Sequence, residues 1–300
     1  MSVRAERFQD ILNSLADGVY FVDVDRRITF WGRGAERITG YTEGEVLGFA
    51  VAHRLLAPLD AAGRDVCENG CPLAATLADG VPREMEVFIR HAGGQRVPVL
   101  MRDLALRNHK DKIVGAVETL IDHPVILAGH KSGPSGEFQA LRDPLTGVGS
   151  RRFIEGRIEA SLAELQRHGV PSAVVLCDID GFTEFNRAHG KEVGDSVLAM
   201  VAQTLQRNLR GSDSVGRWDG EQFLAVLQHV DGVRAAAVAD KLRMLVERST
   251  LSTKGGSLHV TVSVGATMIR ADDLEGTIVE RVSQALASSK SAGRNCVTLA

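Results

Sequence analysis

Residues 173–182 read AVVLCDIDGF and residues 217–223 read RWDGEQF, and these two stretches decide the fold of the second half of the chain. The first is an apolar run that ends in Asp178 and Asp180, as expected of a buried strand that presents a carboxylate at its end. The second contains Asp-Gly, a strong hairpin signal, with Glu221 at the exit of the turn. Asp178 and Glu221 could share a Mg²⁺ ion, which prefers oxygen ligands. Alternatively, they only mark solvated strand ends.

Amphipathic helices are predicted around these strands. Apolar residues recur at helical spacing over residues 153–165, 193–209 and 233–245. Strand patterns separate these helices, and residues 258–267 (LHVTVSVGAT) alternate apolar and polar side chains. Helices that alternate with strands predict an α/β layer arrangement.

The first half of the chain has a different pattern. Short apolar stretches separated by Gly, Asp and Asn predict an antiparallel sheet: GVYFVDVD, ITFWG, EMEVFIRH, RVPVLMRDLAL and IVGAVETLI. Residues 34–80 lie between the second and third stretches and have the spacing of short helices. The predicted order is two strands, a helical segment and three strands.

Composition limits the classes of function. The chain has 300 residues and a net charge of −3, which does not favour a nucleic acid or an anionic membrane surface as partner. The N-terminus lacks the apolar core of a signal peptide, and no apolar run is long enough to span a membrane. These features predict a cytoplasmic location, where the four cysteines would be reduced. Two prolines and several Gly and Ser residues within residues 123–142 predict a linker that is not one continuous helix.

Ordered motifs connect both halves to known families. The first half resembles a PAS domain, in its strand order and in the segment HAGGQRVPV. The second half resembles the GGDEF domain of diguanylate cyclases in five motifs: Asp143-Pro-Leu-Thr-Gly147 with Arg151-Arg152-Phe153; Asp178-Ile-Asp-Gly-Phe182 with Asn186, Gly194 and Asp195; residues 217–223; Ser263-Val-Gly265; and Lys290 with Gly293-Arg294-Asn295.

The resemblance implies an α+β chain in three parts. A PAS sensor domain of antiparallel strands and short helices would occupy residues 1–122, followed by a linker at 123–142. A GGDEF domain with the palm-like (ferredoxin-like) nucleotidyl cyclase fold would occupy residues 143–300. The family condenses two GTP molecules into cyclic di-GMP with Mg²⁺ or Mn²⁺. Since each domain binds one GTP, a homodimer is expected.

The resemblance also implies roles for individual residues. Asp178, Glu221 and the Ile179 carbonyl would hold the metal, and the two carboxylates would be catalytic. The substrate-binding residues would be Asn186 and Asp195 at the guanine edge, Lys290 and Arg294 at the phosphates, and Phe182, Asp219 and Gly220. Without the resemblance, Asn186 and Asp195 could be helix caps, Lys290 and Arg294 a solvated helix end, and Phe182 part of the core.

The signature loop departs from the family pattern. Asp219 replaces a glycine, Gln222 replaces an acidic residue, and Thr183 stands where the family has a lysine. These changes predict weakened catalysis. Arg210 and Asp213 match the family's RxxD inhibitory site for cyclic di-GMP. The alternative function is therefore an inactive module that binds cyclic di-GMP or GTP.

Cys67 and Cys71 could bind a metal, form a redox pair or be ordinary thiols, and the sequence does not decide among these. It does not identify a ligand for the PAS domain either.

Overall fold

The computed structural model describes residues 10–50, 55–68, 70–122, 141–253 and 255–300. The chain divides into two compact units, Met1–Pro124 and Val125–Ala300. Most of the predicted linker, residues 123–140, lies outside the described residues. None of the helices in these ranges is both long and apolar enough to cross a bilayer.

The first unit is a five-stranded antiparallel sheet with helices between its second and third strands. Its elements are β1 (Gly18–Asp23), β2 (Ile28–Trp31), α1 (Arg33–Thr39), α2 (Glu43–Val46), α3 (Pro72–Asp79), β3 (Arg83–Arg90), β4 (Arg96–Arg107) and β5 (Ile113–Asp122). The strand order across the sheet is β2-β1-β5-β4-β3. Tyr20, Ile89 and Leu120 are fully buried in its core. The predicted order of strands and helices is confirmed.

The second unit alternates helices and strands. Its elements are α4 (Arg151–His168), β6 (Ser172–Ile179), α5 (Phe182–His189), α6 (Lys191–Arg207), β7 (Ser214–Asp219), β8 (Gln222–Gln228), α7 (Gly232–Glu247), β9 (Leu251–Thr253), β10 (Gly256–Leu258), β11 (Val262–Met268), α8 (Glu275–Ser291) and β12 (Val297–Leu299). The main sheet has the order β12-β11-β6-β8-β7, and β9 pairs with β10 in a separate ribbon. The three predicted helices correspond to α4, α6 and α7, whereas α5 and α8 were not predicted.

The central strand β6 is buried along its whole length because both faces of the sheet are covered. Val175 and Cys177 pack into the core that contains residues of α6 and α7. Val174 and Leu176 pack into the core that contains residues of α4 and α8. Side chains alternate between the faces of a strand, so Asp178 shares the face of Leu176. This alternation directs Asp178 to the side of the sheet on which α8 lies.

Candidate functional site

Asp178 lies near the end of the central strand of the second unit. It is paired in register with Gln222 on β8 and with Ser263 on β11. Only 3% of the residue is exposed. Glu221 directly precedes Gln222, so the register places both predicted metal-binding carboxylates at the same end of the sheet.

The Asp178 carboxylate is neutralised by a lysine. Lys290 Nζ of α8 lies 2.7 Å from Asp178 Oδ2. Gln222 Nε2 donates a hydrogen bond of 2.8 Å to the same oxygen. A buried carboxylate is costly without a partner, and these two donors remove most of that cost. Lys290, predicted to contact phosphates, therefore has a partner within the protein.

The signature loop is a two-residue hairpin between β7 and β8. Asp219 pairs with Gln222, which leaves Gly220 and Glu221 as the two turn residues. Gly220 has φ +48°, a left-handed conformation that favours glycine. Asp219 is a strand residue without a positive φ, so replacing the family's first glycine does not strain the turn. Glu221 lies within the turn rather than at its exit, and its carboxylate has no hydrogen-bond or ion-pair partner among the described residues.

Arg217 connects this hairpin to the start of the domain. Its Nε donates a 2.8 Å hydrogen bond to the Gly220 carbonyl, and its Nη1 lies 3.4 Å from Asp143 Oδ2. Asp143 also accepts hydrogen bonds from the backbone and hydroxyl of Thr146. Burial acts to raise the pKa of Asp143, but Thr146 and Arg217 outweigh it, and the pKa lies below its ordinary value. The sequence motifs contain both residues but do not show that they meet.

Asp180 is a second residue whose role was missed. It accepts hydrogen bonds from Thr261 Oγ1 at 2.7 Å and Ser263 Oγ at 2.6 Å. It also accepts one from the backbone nitrogen of Asn295 at 3.1 Å. Arg294 and Asn295 have φ values of 66° and 45°, so this turn needs external support. Asp180 provides that support and thereby positions Arg294, which is exposed.

Asn186 and Asp195 present two acceptors near the junction of α5 and α6. Asn186 Oδ1 is buried and has no hydrogen-bond partner among the described residues. Gly194 makes room for it, because a Cβ at position 194 would overlap Asn186 Oδ1. Asp195, the next residue, is half-buried, and within the described ranges its carboxylate has no partner. A buried acceptor without a partner is costly, and the edge of guanine that carries N1–H and the N2 amino group could supply the missing donors.

The remaining predicted residues have the following positions. Phe182 is buried in the core and stacks on Phe185 with ring centroids 6.4 Å apart. Arg210 is exposed at the turn between α6 and β7. Asp213 accepts hydrogen bonds from the backbone nitrogens of Arg210 and Gln228, both at 3.0 Å. The Asp213 carboxylate therefore stabilises the turn, and the inhibitory site remains a prediction.

The donor set at the sheet end suits magnesium. Asp178, Glu221 and the Ile179 carbonyl offer only oxygen. No three His, Cys, Asp or Glu residues within the described ranges are grouped so that they could hold a metal by themselves. Magnesium is commonly held by one or two carboxylates together with substrate phosphates, so the two carboxylates fit an ion that binds with its substrate.

Both units of the chain match known protein families. Residues 140–296 match the family described as diguanylate cyclase, GGDEF domain, and residues 16–123 match a PAS domain family. The diguanylate cyclase DgcP of Pseudomonas aeruginosa is 29% identical over 197 residues, which are 64% of this chain and 29% of DgcP. The chain thus spans less than a third of the length of that relative.

Solved structures are similar to the second unit. The diguanylate cyclase SiaD of Pseudomonas aeruginosa, solved with its activator SiaC, is 34% identical with a TM-score of 0.52, over 54% of this chain and 62% of SiaD. The coiled coil and GGDEF domain of DgcB from Caulobacter crescentus, solved with c-di-GMP, is 26% identical with a TM-score of 0.52, over 55% of this chain and 87% of that one. The predicted fold class is confirmed.

Proposed function

Because the chain belongs to the GGDEF diguanylate cyclase family, we propose that its C-terminal domain condenses two GTP molecules into cyclic di-GMP at a reduced rate. In this proposal residues 1–122 form a PAS sensor, residues 123–142 a linker and residues 143–300 the catalytic domain. One GTP binds to each domain, so the active form is a homodimer. The cytoplasmic location and the absence of nucleic-acid and membrane partners stay predictions.

The proposal rests on the groups that surround Asp178. The end of one central strand brings together a buried carboxylate, the ammonium of Lys290 and the hairpin that contains Glu221. This arrangement can hold both a divalent cation and phosphates. When bound by Asp178, Glu221 and the Ile179 carbonyl, Mg²⁺ or Mn²⁺ would neutralise phosphate charge and favour ionisation of the attacking 3′-hydroxyl.

The chain's own residues bind and orient the nucleotide. Asn186 and Asp195 accept hydrogen bonds from guanine, which selects it over adenine because adenine lacks N1–H and the N2 amino group. Lys290 and Arg294 face the phosphates from the C-terminal end of α8 and the turn after it. Asp180 holds that turn in place through Asn295.

In this proposal three substitutions account for the reduced rate. Asp219 adds a negative charge beside the phosphates, and a like charge at about 5 Å costs about 3 kcal/mol at an effective dielectric of about 20. Gln222 donates to the oxygen of Asp178 that a cation would need. Thr183, exposed on α5, provides no positive charge where the family has a lysine.

The proposal is tested by incubating the full chain with GTP and Mg²⁺ and measuring cyclic di-GMP by chromatography. Wild-type protein should form product slowly, and Asp219→Gly should form it up to about a hundredfold faster, as expected for about 3 kcal/mol. Glu221→Gln should abolish turnover in both backgrounds. Product formation by wild type at the same rate as Asp219→Gly would refute the weakened activity.

The alternative is a receptor that does not catalyse. The exposed Arg210 beside Asp213 favours it, because this pair matches the inhibitory motif although the signature loop is altered. Product from Asp219→Gly alone would support the receptor. Cyclic di-GMP binding that is lost in Arg210→Ala and kept in Arg207→Ala would show that the inhibitory site binds its ligand.

A further inference from the structure

Two cysteines border a small cavity in the N-terminal unit. Cys67 and Cys71 are both half-buried, and their sulfurs are joined by a hydrogen bond. The cavity is also lined by Tyr20, Met101 and Glu118. Its free volume is about 30 Å³, which is room for one or two water molecules. The cavity therefore has room for a molecule of the size of hydrogen peroxide next to both cysteines, whereas a haem or a flavin does not fit.

The two thiols have different surroundings. Cys71 directly precedes α3, and its sulfur accepts hydrogen bonds from Cys67, from the backbone nitrogen of Ala74 and from Arg26. The Cys67 hydrogen bond is the largest of the effects that lower the pKa of Cys71. The same hydrogen bond, followed by burial, raises the pKa of Cys67. Of the two thiols, Cys71 therefore ionises more readily, and Cys67 is the donor to it.

Buried acidic groups lie near the two thiols. Burial raises the pKa of Glu118 and of Asp103, which are hydrogen-bonded to each other. Tyr20 donates its hydroxyl hydrogen to Glu118, and burial raises its pKa as well. Asp65 acts on Cys67 and raises its pKa. Burial thus disfavours the charged forms of Glu118 and Asp103, and Arg26 supplies a positive charge near Cys71.

We propose that Cys67 and Cys71 form a peroxide-reactive dithiol that oxidises to an intramolecular disulfide. The Cys71 thiolate attacks one oxygen of hydrogen peroxide, the O–O bond breaks, and hydroxide leaves with the second oxygen and takes up a proton to form water. The Cys67 sulfur then attacks the sulfenic acid of Cys71, the S–O bond breaks and a second water leaves. The two sulfurs lose two electrons and the peroxide gains them.

This inference does not rest on the proposed cyclase activity, since both cysteines lie in the other unit. A nucleophilic cysteine with a low pKa beside a resolving cysteine is the usual arrangement of a redox-sensing site. Oxidation removes the negative charge beside Arg26 and links the N-terminus of α3 to Cys67. Both changes occur in the wall of the cavity.

The first test compares cysteines within the native full chain. At about pH 5.5 iodoacetamide should label Cys71 on the order of tenfold faster than Cys296, because the lowered pKa of Cys71 favours its reactive thiolate form. Cys177 is fully buried with a pKa raised to about 12, and it should not react. Arg26→Gln should slow the labelling of Cys71, whereas Arg33→Gln, at an exposed position on α1, should not. Equal rates for Cys71 and Cys296 would overturn the proposal.

The second test follows the oxidation. After addition of peroxide, the intact mass should fall by two hydrogen atoms, and peptide mapping should find Cys67 linked to Cys71. Cys67→Ser should accumulate a sulfenic acid at Cys71 that dimedone traps, and Cys71→Ser should form neither product at a comparable rate. Circular dichroism checks that both variants fold. Only intermolecular links, or no adduct in Cys67→Ser, would refute the dithiol.

Discussion

Replacing Gly194 by alanine should weaken GTP binding without unfolding the domain. A Cβ at this position would overlap Asn186 Oδ1, so the amide has to move away from its present place. The neighbouring backbone is an ordinary helix that accepts alanine. The substitution therefore acts on one side chain whose oxygen has no partner in the described structure.

The magnitude follows from the hydrogen bond that is lost. A buried donor on guanine that is left without an acceptor costs about 1–3 kcal/mol, which corresponds to about 5- to 150-fold in the dissociation constant. Alanine in place of glycine within a helix stabilises by about 0.5–1 kcal/mol, so the melting temperature should not fall. The affinity for ATP should change little, because adenine does not have the donors that Asn186 and Asp195 accept.

Isothermal titration of the full chain with GTP and with ATP measures these changes. Gly156→Ala is the matched control, since Gly156 is also in a helix and its added Cβ would meet nothing within 4 Å. The control should bind GTP as wild type does. If Gly194→Ala binds GTP with wild-type affinity, Asn186 does not contact the base and the guanine assignment is wrong.

Three further predictions concern stability and coupling. Asp180→Ala removes the acceptor of three hydrogen bonds and should lower the free energy of unfolding by about 2–4 kcal/mol in urea titrations. Asp231→Ala, which removes a single helix cap, should cost about 1 kcal/mol, and equal losses would contradict the role of Asp180. Arg217→Gln should lower the rate of product formation severalfold, because it removes the contact between Asp143 and the hairpin, while the melting temperature changes little. An unchanged rate would show that this contact does not affect catalysis. Burial raises the pKa of Asp103 from 3.8 to about 6, so the folded state binds this proton more tightly than the unfolded chain. The stability of the first unit should therefore rise by about 1 kcal/mol per pH unit as pH falls from about 6 to about 4, and Asp103→Asn should flatten that slope.

Local patterns predicted the elements of the fold because each depends on residues close in sequence. The apolar run before Asp178 and the Asp-Gly sequence predicted β6 and the hairpin without information from elsewhere in the chain, although the turn residues are Gly220 and Glu221. The helix α8 was missed although its motif contains Lys290. Its hydrophobic spacing, with Ile278, Val282 and Leu286 in the core, was a signal that could have found it.

Contacts between distant residues could not be predicted in this way. The hydrogen bond from Gln222 to Asp178 depends on the register of two strands, which the sequence does not specify in isolation. Asp180 and Asn295 meet only because a turn with positive φ values brings the chain back after α8. The roles of Glu221, Asn186, Asp195 and Arg294 in catalysis and binding stay predictions that the experiments above decide.

The ion pair between Arg217 and Asp143 links the start of the second unit to the tip of the β7–β8 hairpin. Asp143 lies at the start of the described part of this unit, and Gly220 is held by the same guanidinium. A shift in the position of Asp143 would therefore reach the Gly220 carbonyl through a single guanidinium group.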